Sequence, residues 1–159
     1  AALLGLLFVL LYMFISYGRF GIYSNISLAI NLSLIIAILS LLQATLTLPG
    51  IAGIILTIGM AVDANVLIFE RIREELNNKK SPINAIDNGY KRALTTILDA
   101  NITTFIAAII LFQLGSGPIK GFSITLAIGI ITSVFTAFTV TRFMVARWIR
   151  KSNPKEISI

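Results

Sequence analysis

The sequence predicts an all-α membrane protein with five transmembrane helices, and three observations carry that expectation. The 159 residues are 57% hydrophobic and their mean hydropathy is +0.91. A soluble domain averages only about 45–50% apolar. The apolar residues fall in long runs with few charges, as in helices that cross a hydrocarbon core about 30 Å thick. The Lys and Arg residues fall between those runs and nearly all on one side of the implied membrane, which is the usual topological bias of such proteins.

Residues 1–17 are the first run, which ends at Gly18-Arg19. They lack the basic flank and cleavage site of a signal peptide and any initiator Met, so the chain is expected to begin inside a longer protein. The second run, residues 26–43, is softened by Asn31, Ser33 and Ser40. After Thr45, the Pro49-Gly50 pair is a turn signal. Residues 51–70 form the third run, and residues 71–95 a charged loop. In that loop Ser81 and Pro82 suit a helix start. Ile83, Ile86, Tyr90, Leu94 and Ile97 then recur at helical spacing, which predicts a short amphipathic helix at the membrane surface. The fourth run is residues 96–114, the tight turn Gly115-Ser116-Gly117-Pro118 follows, and the fifth run is residues 121–145. Residues 1–150 thus read as one transmembrane domain and residues 151–159 as a tail.

Arg19, the 71–92 loop and the 147–155 tail lie on one side, with only Lys120 on the other. That distribution places the loop and the C-terminus in the cytoplasm and the start of the chain outside.

Composition also excludes chemistry. Without cysteine or histidine there is no thiol reaction and no neutral-pH imidazole, so a moving proton must use carboxylates. Gly115-Ser116-Gly117-Pro118 has no following Gly-Lys-Ser/Thr, so it is no nucleotide loop. No nucleophile–base pair stands out, and the cations form no stripe with aromatic platforms for nucleic acid. The sequence reads as a non-enzyme without cofactor, driven by an ion gradient or a partner ATPase.

Asp63 is the candidate centre. It lies 12 residues from the start of its run, about 18 Å deep at 1.5 Å per residue. An ionisable side chain at that depth costs roughly 2.5–3.5 kcal/mol on insertion scales and usually faces a cavity or partner. Gly59, Asp63, Leu67, Glu70 and Glu74 share one helical face leading to the surface, while Asn65 points toward another neighbour. An apolar setting disfavours a charged carboxyl, so Asp63 is a proton carrier or, alternatively, a neutral carboxyl closing a helix contact. On the fourth run Thr96, Asp99 and Thr103 form a stripe with Asn101 and Thr104 beside it. This stripe is a facing wall for Asp63; otherwise the threonines bond their own carbonyls and Asp99 caps the interface. Gly121, Thr125, Gly129, Ser133 and Ala137 recur every fourth residue, a small-residue face that favours packing over chemistry.

Three stretches then carry a family resemblance: residues 59–75 around Gly59-Met60-Ala61-Val62-Asp63-Ala64-Asn65, residues 99–104, and residues 115–122. Together they resemble the SecD/SecF family of bacterial protein-export subunits, within the resistance–nodulation–division superfamily. The Asp63-Ala64-Asn65 pattern is of SecD type; SecF-type halves carry Asn-Asp there. The resemblance implies a six-helix bundle of which this chain holds five, the first helix and an external domain lying upstream. It implies a multi-pass protein of the bacterial inner membrane that uses the proton-motive force, or Na⁺, to promote preprotein export. The implied partners are SecF, the SecYEG channel, the SecA ATPase and YajC. Asp63, Asp99, Asn101 and Thr104 would form the relay, supported by Gly59, Asn65, Glu70, Thr103, Gly129 and Ser133. An Arg that SecF-type halves carry near the start of this helix is replaced by Thr95 and Thr96, so a complete relay would need the partner. The rival expectations are a scaffold half that conducts nothing and an exporter of small molecules or lipids.

Overall fold

The computed structural model of the chain describes residues 2–43 and 46–152, which are helical apart from short turns. Helix α1 (Ala2–Tyr17) meets α2 (Arg19–Leu41) at Gly18, whose φ of 57° is a left-handed conformation that glycine adopts without a Cβ penalty. Arg19 therefore opens a membrane helix, and α2 starts well before the expected residue 26.

Helix α3 (Leu48–Asn77) is capped by the Thr47 hydroxyl, which accepts from the Gly50 N–H at 3.1 Å. Pro49-Gly50 is thus the first helical turn and not a loop. Proline is tolerated there because its missing N–H would have had no partner. Thr45, placed in that turn by the sequence, lies outside the described residues.

Helix α4 (Pro82–Leu114) starts as expected, with Ser81 accepting from the Asn84 N–H at 3.4 Å. It then runs unbroken through both the charged loop and the fourth span. The amphipathic segment is therefore the start of a long helix and not a separate short one. Its apolar face has a protein partner, because α3 also continues past its apolar run to Asn77. Ile86, Tyr90 and Ile97 are buried in the same cluster as Ile68 and Ile72, although Ile83 and Leu94 stay exposed.

The last rod runs from Pro118 to Ser152. It is α5 (Pro118–Phe135), a six-residue π-helical segment (Thr136–Thr141) and α6 (Arg142–Ser152). The π segment has no signal in the sequence. Of the expected tail, Lys151 and Ser152 belong to α6 and the rest lies outside the described residues. By length and composition α2, α3, α4 and this rod can each cross a membrane, and α1 is a shorter apolar helix.

Two packing regions hold the bundle. At the ionised end, Met13, Tyr17, Phe20, Phe69, Tyr90, Val145 and Ile149 are buried together. There Phe20 packs against Phe69 at 5.6 Å and edge-on against Trp148 at 5.7 Å. Along the membrane part, α3 and α5 interlock through the small-residue face read from the sequence. A Cβ on Gly129 would collide with Thr57, and one on Gly53 with Thr125, so each helix supplies the glycine that receives the other's threonine. The Thr57 hydroxyl donates to the Ile54 carbonyl at 2.8 Å, which fixes its rotamer. Between α2 and the last rod, Asn31 donates to the Ser133 hydroxyl at 3.3 Å and Ser27 to the Thr136 carbonyl at 3.3 Å. Close approach and interhelical polar contacts are what drive helix association in lipid. Helix α4 is the least enclosed: 11% of its most apolar window is buried, against 50% for the last rod.

The interlock makes a contrasting pair of predictions. Gly129→Ala is expected to destabilise the protein by about 1–3 kcal/mol, the usual cost of overpacking, because the stiff Thr57 cannot move aside. Gly59→Ala is expected to be neutral or slightly stabilising, since a Cβ there meets nothing within 4 Å. Apparent melting temperatures in detergent check both.

Candidate functional site

The most apolar helices also carry the one intramembrane carboxylate that fits a site. Asp63 sits near the middle of α3, about a quarter turn from the face that packs on α5. It opens into a groove of about 240 Å³ between α3 and α4. Met60, Asp63, Ala64 and Leu67 form one wall, and Thr96, Ile97, Ala100, Asn101 and Thr104 the other. Among the described residues the Asp63 side chain has no hydrogen bond or ion pair, and it is exposed on the open side of the groove.

The facing residues are prepared to different degrees. Thr104 donates to the Ala100 carbonyl at 3.1 Å and Asn101 to the Ile97 carbonyl at 2.7 Å. Both donors are thus held within α4, while their oxygens retain acceptor capacity toward the groove. Asn101 also borders an apolar cleft on the other side of α4, formed with Ile130 and Val134 of α5. Asp99 and Thr103 do not line the groove; both are exposed on another face of α4. At about 100° per residue Asp99 is some 140° round the helix from Thr104, so the sequence stripe is broader than the wall. Thr103 bonds its own Asp99 carbonyl at 3.1 Å.

The supporting residues divide similarly. Asn65 is buried, donates to the Ala61 carbonyl at 3.2 Å and faces away from the groove, as read from the sequence. Gly129 and Ser133 pack against α3 and α2, and Gly59 lies on an open face.

Past Leu67 a second cleft continues to the ionised end, lined by Glu70, Arg71, Arg73, Glu74 and Asn77. Here the carboxylates are paired. Glu70 accepts from the Tyr17 hydroxyl at 2.8 Å and from Arg73 at 2.9 Å, which ties α1 to α3. Glu74 meets Arg71 and Arg92 at 3.3 and 3.4 Å. Glu75 is only 7% exposed and accepts from Arg92 at 2.8 Å, which joins α3 to α4. Nearby, burial holds the Tyr90 phenol above its ordinary pKa, so it stays neutral beneath the Arg142 guanidinium at 5.2 Å. From the sequence Glu75 reads with Glu70, Arg71, Arg73 and Glu74 as a solvated helix end, because spacing alone gives no sign of which charge becomes buried.

Comparisons with known proteins give the family of the chain. The family described as "Protein export membrane protein SecD/SecF, C-terminal" matches residues 1–151. The chain belongs to the SecD/SecF C-terminal family. It is 53% identical over 159 residues to the protein translocase subunit SecD of Magnetococcus marinus, covering 100% of this chain and 30% of that protein. It is 50% identical over 157 residues to the protein translocase subunit SecDF of Brucella abortus, covering 99% of this chain and 21% of that protein. The crystal structure of SecDF from Thermus superposes with a TM-score of 0.93 at 42% identity, over 99% of this chain and 22% of the other. The chain thus spans under a third of the length of these relatives.

In this SecD/SecF chain the Glu75–Arg92 contact joins α3 to α4 at the ionised end. Glu75→Gln is expected to lower stability by about 1–3 kcal/mol, because Arg92 and Lys80 lose their buried partner; Glu74→Gln, at a half-exposed pair, should cost under about 1 kcal/mol. Thermal unfolding of the two variants side by side tests the ordering.

Proposed function

We propose that this chain is the membrane module of a protein-export subunit in which Asp63 binds and releases the coupling ion. The observation that carries this reading is the Asp63 carboxylate near the middle of α3, unpartnered among the described residues, on a groove that continues past Leu67 into the ionised end. A lone intramembrane carboxylate usually marks an ion path. Protonation would turn it from a group that needs water into one that can face lipid or a helix. Such a change can bias two packings of neighbouring helices. In this reading the bias moves an external domain and so draws preprotein out of the SecYEG channel after SecA has acted.

The ionised end is cytoplasmic and the Gly115–Gly117 turn external, in a bacterial inner membrane, which agrees with the Lys and Arg bias. SecF is the natural occupant of the open side of the groove; the fused SecDF relatives support that pairing. YajC belongs to the same proposed assembly. A proton is the favoured coupling ion, with Na⁺ the alternative, because carboxylate, amide and hydroxyl oxygens suit both.

The test uses the full-length protein with SecF, SecYEG and SecA in proteoliposomes. Asp63→Asn is expected to reduce gradient-stimulated export at least tenfold while leaving ATP-driven export intact. Asp99→Asn, outside the groove, should keep more than half of the stimulation. Export that responds normally to the gradient in Asp63→Asn would leave the chain a scaffold. Imposing ΔpH or a Na⁺ gradient separately distinguishes the two ions.

A further inference from the structure

Two sets of cations stand at the ionised end of the bundle. Arg71, Arg73, Lys80 and Arg92 pair with the glutamates of α3, and Arg142 approaches Asp87 at 3.8 Å. Arg19, Arg147 and Lys151 have no ion pair among the described residues, yet all three line one cleft of about 380 Å³ between the start of α2 and α6. Among the described residues no carboxylate lines that cleft.

Its layout is graded along the axis of α6. Phe143, Arg147 and Lys151 follow at four-residue steps on one face of α6, about 6 Å apart per step. Phe143, nearest the membrane interior, is 63% exposed, and the two cations rise above it. Opposite them the Arg19 guanidinium lies over the Trp148 ring at 5.1 Å. Trp148 is held edge-on by Phe20, which is itself buried. Tyr23 completes the wall. Trp and Tyr at this level are the usual anchors of a membrane–water interface.

We propose that this cleft binds one anionic phospholipid, its phosphate among Arg19, Arg147 and Lys151 and an acyl chain along Phe143. Basic pockets between membrane helices take acidic headgroups in this way, and a guanidinium matches phosphate geometry with two parallel donors. The apolar wall below the charges selects a lipid over a soluble phosphate. The site is independent of ion movement at Asp63.

Trp148 is the only tryptophan of the 159 residues and reports the site directly. The full-length protein, with any other tryptophans replaced by Phe, is reconstituted in vesicles. Phosphatidylglycerol or phosphatidylcholine with brominated acyl chains is titrated in as quencher. Phosphatidylglycerol is expected to quench Trp148 at a several-fold lower mole fraction than phosphatidylcholine. Arg147→Gln with Lys151→Gln, both on exposed side chains, should abolish the preference, and Lys79→Gln with Lys91→Gln should leave it. Equal quenching by the two lipids, or a preference that survives the Arg147/Lys151 change, overturns the proposal. Displacement of the lipid by equimolar glycerol phosphate would assign the cleft to a soluble anion and overturn it as a lipid site.

Discussion

The reciprocal exchange of glycine and threonine between α3 and α5 is the contact on which the rest of the bundle depends. Lipid tails are as apolar as leucine, so nothing pushes two membrane helices together except close packing and shared polar contacts. Gly53 and Gly129 allow that closeness, and Thr125 and Thr57 fill the space they leave. The interlock also fixes the rotation of α3. With Gly53, Thr57 and Ala64 turned inward, Asp63 must emerge at the flank, where α4 supplies threonine, alanine, asparagine and one isoleucine but no charge. The carboxylate is not accommodated by a partner of its own; it is presented by the packing of its neighbours.

The ionised end works differently. There the helices are tied by directional contacts: Tyr17 to Glu70 and Arg92 to Glu75. Phe20, Phe69 and Trp148 fill the space between them. Helix α4 keeps a broad open flank, with 11% of its most apolar window buried. That flank borders both the polar groove and the apolar cleft beside Asn101.

Much of this was legible in the sequence, and the remainder divides by physical cause. Hydrophobic runs gave the helices, because burying backbone polar groups in lipid leaves little alternative. The Ser81 cap, the small-residue face and the inward turn of Asn65 were equally plain. Rotation was not, because spacing places Asp99 and Thr96 on one stripe, and only the seat of α4 on Ile72 decides which of them borders the groove. The amphipathic face of residues 82–97 looked like a membrane surface helix because its partner, the end of α3, is itself strongly charged. Pro49-Gly50 reads as a turn or as a first helical turn with the same residues; the Thr47 hydroxyl decides between them. Asp63 stood out by its depth in an apolar run and the facing wall by its helical spacing; the assignment of Asn101 and Thr104 to a relay came from resemblance.

The π segment at 136–141 acts as a phase adjuster. A wider turn holds one residue more than an α-turn, and each residue advances a helix by about 100° and 1.5 Å. With it, Ser133 can meet Asn31 in mid-bundle while Val145 and Ile149 still reach the aromatic cluster beyond. A regular α-helix over the same span would satisfy one of these contacts and swing the other toward lipid. The last rod can therefore serve two separately built regions with a single uninterrupted backbone.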